Sequence, residues 1–452
     1  MRKLITLLLT TSLLAGCTSS LEPEETPEPT ATQTSEAEAT QTPEPEPLPT
    51  FQLSNLVSDP AQCKLQEDSV MRNRFGSALA ATSFPPNKGA LPLTGSIKVA
   101  FIPLAFSDTA KLDDIDSYVG GNIKKFVDFY STVSSNKLTI TPLVLSDWLI
   151  SDGIEKDYWV SREYEIDTSV KGKTARKKLL QEAVELADPS MDFAGVDVVI
   201  VVLPSSEKVT EVGLQSFSFD PSTSVELRAD GNKMLNSIVT GMRFDKDSRA
   251  PIWSHWAHEF GHMVHIPDLV LNPNTKLFPD GDTFGYNPLS GYDIMSNQDG
   301  PIRTLNGWSR WVQGWLDDSE VTCINLEDIS TDTFEISNLD IMNSGTRIVI
   351  IKVSATEVYV VESRRWNSEF DTAVTSDWDG VIAYSVNSEL GHQEGPIKLL
   401  TNRSDYFWED GSMNTENIDA TLHEGESYDS DLLRISVESL QAQKSVVTIS
   451  RP

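Results

Sequence analysis

Residues 253–269 read W-S-H-W-A-H-E-F-G-H-M-V-H-I-P-D-L and contain four of the six histidines in the chain. On an α-helix, residues four apart lie on the same face. His258 and His262 can therefore present two imidazoles to one ion, with Glu259 beside them. The stretch predicts a metal-binding helix followed by a turn.

A third ligand has to come from outside this helix. The Ile266-Pro267 pair ends the helix, because a residue before proline disfavours the helical region. The chain can then turn back and bring Asp268 towards the metal, and we predict a site made by His258, His262 and Asp268. His265 and a distant glutamate are the alternatives for the third position. His265 is disfavoured because it lies about 10 Å along the helix axis from His258.

The ligand set indicates zinc chemistry. Catalytic zinc takes three protein ligands and keeps one position for water, and a nearby carboxylate serves as the general base, here Glu259. A bare H-E-x-x-H also arises by chance, and the alternative is an exposed helix with two unrelated histidines. The spacing of Asp268 and the segment Y-D-I-M-S at 292–296 favour the metal site. That segment looks like a Met-turn, with Met295 as an apolar floor below the ion.

These motifs resemble the immune inhibitor A group of secreted zinc metalloproteases, which are metzincin-like. The shared patterns are H-E-F-G-H at 258–262, P-D at 267–268 and D-x-M-S at 293–296, with E-x-R at 362–364 and G-x-x-x-Y at 380–384. The resemblance covers residues 97–450 and implies Zn²⁺, hydrolysis of protein or peptide substrates, and Glu259 as the base. The chain departs from the family at His265, where a glycine is usual. Asn297 stands where some metzincins have a tyrosine.

The first 17 residues predict an export signal. Arg2 and Lys3 precede an apolar run that ends in L-A-G-C at 14–17, which resembles a bacterial lipobox with Cys17 as the lipidated residue. A plain cleaved signal peptide is the alternative. Residues 18–50 lack aromatic and basic residues and are rich in Pro, Glu and Thr, so they predict a disordered tether. We expect a lipoprotein on the outer face of a bacterial membrane, anchored through Cys17.

The net charge indicates which partners to exclude, and the cysteines indicate a covalent link within the chain. A net charge of −31 argues against nucleic acid or an anionic membrane surface as a partner. Apart from Cys17, the remaining cysteines are Cys63 and Cys323, which in an oxidising exterior are expected to form a disulfide. Two free buried thiols are the alternative.

The rest of the chain predicts an α/β zincin-like catalytic domain, with a mixed sheet plus the active-site helix, over residues 95–319. Strands are expected at 97–106, 138–145 and 196–203, with a cleft-edge strand at 235–242. Residues 51–94 are a pro-segment or a wrap around the core. Residues 320–452 contain regularly spaced short apolar runs and predict a C-terminal antiparallel β-sandwich domain.

The sequence leaves alternatives open for two further predictions, a calcium site and the function of the whole chain. Asp280 and Asp282, in a loop rich in Asn, Pro, Asp and Gly, could bind Ca²⁺ or form a plain turn. For the whole chain, the alternatives to a zinc endopeptidase are a non-catalytic surface-binding lipoprotein with a degenerate zincin domain and a zinc hydrolase of a non-peptide bond. Glu259 argues against the first, because a binding module needs no base beside its metal.

Overall fold

The computed structural model describes only part of the chain, and residues from Phe51 onward form one compact unit apart from Met1–Thr50. The predictions on Cys17, the tether, Asp280 and Asp282 lie outside the described residues. None of the described helices is long and apolar enough to cross a membrane. The described residues are 50–66, 82–86, 91–158, 170–206, 214–216, 218, 224–240, 251–269, 288–298, 300–342, 345–367, 369–371, 378–390, 395–402 and 419–452.

The first half of the compact unit is built on a mixed sheet in the order β2-β1-β4-β8-β5, with β3 also paired to β1. The strands β1, β2, β3, β4 and β8 run parallel, and β5 is antiparallel to β8. A separate hairpin joins β6 and β7. The bounds are β1 Gly95–Ala105, β2 Leu138–Val144, β3 Leu149–Ile150, β4 Val198–Val202, β5 Leu214–Ser216, β6 Leu227–Ala229, β7 Asn232–Met234 and β8 Asn236–Thr240.

The central strands are apolar on both faces, because helices cover both sides of the sheet. Successive residues of β4 alternate between two hydrophobic clusters: Val198 and Ile200 face one, while Val199 and Val201 face the other. The first cluster lies under α2 (Gly121–Val133) and α4 (Ile252–Met263), and the second under α3 (Val170–Ala187). Further helical segments in the described residues are α1 Pro60–Cys63, a π-helical turn at Asp116–Gly120, and 3₁₀ turns at Glu155–Tyr158, Ser290–Tyr292, Asp318–Glu320 and Leu326–Asp328.

The predicted edge strand is wrong in its position. The strand at 235–242 corresponds to β8, which lies between β4 and β5, so β5 is the outermost described strand on that side. β5 carries no periodic pattern, because its three residues lie in a Ser- and Asp-rich stretch and form a strand only by pairing with β8.

The second half begins with α5 (Gly307–Val312) and contains two further sheets. One is antiparallel, in the order β10-β17-β16-β15, and the other follows the order β14-β13-β12-β11-β9. The second is mixed, since β9 pairs in parallel with β11, whereas antiparallel pairing was predicted. One apolar cluster draws residues from both sheets. The bounds are β9 Val321–Asn325, β10 Thr331–Ser337, β11 Ile348–Lys352, β12 Glu357–Arg364, β13 Gly380–Asn387, β14 Ile397–Leu399, β15 Ser427–Asp429, β16 Arg434–Leu440 and β17 Lys444–Ser450.

The segment after Phe51 is tied to the second half of the unit. Cys63 and Cys323 form the predicted disulfide, which joins positions 260 residues apart. The Asp59 amide donates to the Cys323 carbonyl at 3.2 Å, and the Trp308 indole donates to the Thr82 carbonyl at 2.6 Å. The described parts of residues 51–94 therefore pack against both the C-terminal sheet and α5.

Candidate metal centre

The end of α4 sets the direction in which the chain leaves the helix. His265 has a positive φ of 67°, the left-handed conformation expected at this position. Its amide donates to the His262 carbonyl, and the Ile266 amide donates to the Gly261 carbonyl, both at 2.9 Å. This pair of bonds is a Schellman motif, which closes a helix and reverses the chain. Asp268 is thereby directed back towards the helix.

Three side chains meet at this reversal. His258, His262 and Asp268 each offer one ligand atom, and these atoms lie within 4.8 Å of one another. Asp268 Oδ1 is 3.2 Å from His258 Nε2 and 3.3 Å from His262 Nε2. The structure brings together the three residues predicted from the sequence as ligands.

Backbone carbonyls orient both imidazoles. His258 Nδ1 is 2.9 Å from the Ile294 carbonyl oxygen, and His262 Nδ1 is 2.9 Å from the Ile266 carbonyl oxygen. A carbonyl can only accept, so each Nδ1 carries a proton, and in its neutral form each ring turns its Nε2 lone pair towards the cluster. Metal-binding histidines have this arrangement, in which the outer nitrogen donates to a carbonyl or carboxylate.

The charges of the cluster depend on one another. Burial alone would lower the pKa of His258, but the hydrogen bond and negative charge of Asp268 outweigh it and raise this pKa to about 9. The pKa of His262 is raised for the same reason, against the effect of burial. Burial would raise the pKa of Asp268, but the two imidazoles hold it well below its usual range. Without a metal, the site therefore keeps an anionic carboxylate beside a protonated imidazole at neutral pH.

Glu259 lies between the two histidines in sequence and is itself buried, with 6% of its surface exposed. One helical turn earlier, His255 places Nδ1 3.7 Å from Glu259 Oε1. A carboxylate in this position can exchange a proton with a substrate held at the cluster.

The loop at 292–296 supports the helix from below. Asp293 is fully buried and accepts hydrogen bonds from the Met295 amide and from the amide and side chain of Asn306, each at 2.7 Å. This fixes the Ile294 carbonyl that orients His258. The Leu269 amide donates to the Met295 carbonyl at 3.0 Å, so the same loop also holds the segment after Asp268.

The donor set fits a zinc ion. Two imidazole nitrogens and one carboxylate oxygen are ligands that zinc takes at catalytic sites. Ligand atoms about 2.0–2.1 Å from a tetrahedral ion lie roughly 3.3–3.4 Å from one another. The two measured Nε2 to Oδ1 separations, 3.2 and 3.3 Å, agree with that spacing.

Some functional groups could not be found from the sequence. The carbonyls of Ile266 and Ile294 carry no residue-type signal, and the contact between His255 and the loop after Met295 depends on the fold. In the sequence, Asp293 is marked only as the first residue of the D-x-M-S motif. Asn297 lies in a tight turn, where its amide donates to the Asp293 carbonyl at 2.9 Å.

Comparisons with known proteins add two distant structural likenesses. No protein-family model matches the chain, and no curated protein matches it. The chain is similar to metalloproteinase-II from Bacteroides fragilis, with 11% identity and a TM-score of 0.24, over 51% of this chain and 52% of that one. It is also similar to wild-type OgpA from Akkermansia muciniphila, with 11% identity and a TM-score of 0.25, over 67% of this chain and 82% of that one. The chain thus spans about half the length of the first. Likenesses this distant carry no argument about function.

Proposed function

We propose that this chain is a zinc-dependent endopeptidase. The observation that carries the proposal is the convergence of His258, His262 and Asp268, with both Nε2 atoms at ligand spacing from one carboxylate oxygen. Glu259, buried beside them, supplies the carboxylate that metal-assisted hydrolysis requires.

When bound, zinc supplies a Lewis acid that polarises a carbonyl group and makes a water molecule more acidic. His258, His262 and Asp268 would hold the ion, and the Ile294 and Ile266 carbonyls keep the two imidazoles in place. Glu259 takes the proton from the attacking water on one carboxylate oxygen. It then gives that proton to the amine nitrogen that leaves when the C–N bond breaks.

A peptide is the favoured substrate because the sheet that packs against the metal-binding helix ends in a short strand. The Trp256 indole of α4 donates to Thr240 Oγ1 at the end of β8, at 3.0 Å, and β5 pairs with the other side of β8. β5 is the outermost described strand there, and an extended peptide can pair with such an edge. The resemblance of 258–268 and 293–296 to the immune inhibitor A group supports the same substrate class.

We also propose the domain arrangement expected from the sequence. Residues 95–319 would be a zincin-like catalytic domain, which the mixed sheet with α4 against one face supports. Residues 320–452 would be a β-sandwich, which the cluster shared by the two later sheets supports. Apolar packing continues between the halves, since Trp308 and Ile350 belong to one cluster with Phe260.

The chain is proposed to act outside the cell, attached to a membrane by a lipid on Cys17. The motif L-A-G-C at 14–17 supports this. Two acyl chains anchor a protein stably where one is marginal. Wild-type protein should carry the lipid and sediment with membranes. Cys17→Ala should not carry the lipid. Equal recovery of lipid on both would contradict the proposal.

The catalytic proposal is tested by metal analysis and a general protein-cleavage assay with and without a chelator. We expect zinc in the purified protein, loss of cleavage with the chelator, and recovery when zinc is returned. Glu259→Gln should keep zinc but lower turnover by about 10²- to 10⁴-fold. His423→Asn, at an exposed histidine outside the site, is the matched control. Cleavage by Glu259→Gln at the wild-type rate would refute the mechanism.

A further inference from the structure

His255 lies one helical turn before Glu259, on the same side of α4, and is buried with 2% of its surface exposed. Its Nδ1 is 3.1 Å from Gln298 Oε1 and 3.7 Å from Glu259 Oε1. We propose that His255 is a positioning residue for the Glu259 carboxylate, and that Gln298 holds His255 in the required tautomer. This inference rests on the proposed function, in which Glu259 is the general base.

The backbone of Gln298 is held in place by two hydrogen bonds to its carbonyl oxygen. The Gln298 carbonyl accepts a hydrogen bond from Ser254 Oγ at 2.7 Å and one from Arg303 Nε at 3.4 Å. Ser254 directly precedes His255, so the backbone of Gln298 is fixed against the same turn of α4. The loop that supports the metal site thus continues three residues past Met295 and reaches the side chain next to Glu259.

The two oxygens near Nδ1 decide where the His255 proton lies. A lone pair on Nδ1 would face the negative carboxylate of Glu259 and would repel it. A proton on Nδ1 faces two acceptors, Gln298 Oε1 and Glu259 Oε1. The tautomer of a histidine follows from such partners. His255 therefore carries its proton on Nδ1, and the Gln298 oxygen holds it there.

The contact to Glu259 is longer than a hydrogen bond, which ends near 3.2 Å. Catalytic hydrogen bonds are often long before substrate binds and tighten in the complex. One N–H shared between two acceptors is a common arrangement. The Nδ1–H donates to Gln298 Oε1 and, if the contact tightens when substrate binds, would also restrain one oxygen of Glu259 and leave the other to take the proton from water.

The first test reads the tautomer without using activity. Nitrogen-15 NMR of the ring nitrogens, with the His255 signal assigned by its loss in His255→Asn, should show Nδ1–H in the wild-type protein. Gln298→Leu should shift that signal, because the acceptor is removed. A wild-type signal from the Nε2–H tautomer would overturn the proposal.

The second test separates positioning from packing. His255→Leu should lower kcat by about 10- to 100-fold with zinc content and KM nearly unchanged, as for other residues that orient a site. His255→Asn places a side-chain N–H near the position of Nδ1 and should restore most of kcat, and His423→Asn is the control. Wild-type kcat in His255→Leu, or an equal loss in both His255 variants, would overturn the proposal. An inactive wild-type protein that still shows the Nδ1–H tautomer would refute the proposed function instead.

Discussion

The sulfur of Met295 packs against the backbone of α4 at Gly261, one residue before His262. A Cβ on Gly261 would lie 2.8 Å from Met295 Sδ, closer than real contacts come, and 3.2 Å from its Cε, which is tighter than most real contacts. Met295 is fully buried, so it has little room to move away. The glycine in H-E-F-G-H is thus explained by the methionine below it, and not by an unusual backbone angle.

We predict that Gly261→Ala destabilises the protein by about 1–2 kcal/mol, because crowding outweighs the higher helix propensity of alanine. In a Met295→Ala background the crowding is gone, and the same change should become neutral or stabilising by up to about 1 kcal/mol. Urea unfolding of the four proteins in this cycle measures the coupling. Equal costs in the two backgrounds would show that the two residues do not interact.

A second prediction concerns the disulfide. Cys63 and Cys323 close a loop of 260 residues, and removing a native disulfide typically costs about 2–5 kcal/mol. The double variant Cys63→Ser/Cys323→Ser should therefore lower the urea midpoint, while its zinc content should stay at the wild-type value because neither cysteine belongs to the ligand cluster. An unchanged midpoint would mean that the contacts of Asp59 and Thr82 hold the segment without the covalent bond.

The sequence predicted the cluster of His258, His262 and Asp268 better than it predicted the sheets. Helix periodicity alone places His258 and His262 on one face, and Pro267 marks where the chain can turn, so local rules were sufficient for the site. Strand order depends on which distant segments pair. The sequence predicts β8 as an edge because the short β5 carries no periodic pattern, and the residue pattern of β9 and β11 does not indicate that they pair in parallel. The same limit hid the contact between Gln298 and His255.

The third prediction is a pH dependence. The pKa of His258 is raised from 6.5 to about 9 in the metal-free site. Its contribution to the stability of the metal-free protein is therefore complete below about pH 6.5 and is lost as pH rises through about 9. Zinc needs an unprotonated Nε2, so its stabilising effect grows over the same range. The difference in Tm between zinc-loaded and metal-free protein should widen from pH 6 to pH 9, and a constant or narrowing difference would contradict this.

The last prediction concerns the third ligand. Asp268→Ala removes the oxygen that lies at ligand spacing from both imidazoles, and zinc affinity should fall by more than ~100-fold. The left-handed backbone of His265 marks it as the residue that turns the chain. His265→Gly should therefore keep zinc and cleavage. Competition with a chromophoric chelator measures both affinities.

His265→Ala provides the matched control for the turn. Both His265 variants lose the buried imidazole, but only glycine adopts a φ of 67° without strain, which costs other residues about 1–2 kcal/mol. His265→Gly should therefore be more stable than His265→Ala by about 1 kcal/mol, while both bind zinc like the wild type. If zinc were lost from the His265 variants and kept by Asp268→Ala, His265 would be the ligand. In that case His265, at the Schellman turn, would bind the metal itself, and Asp268 would not.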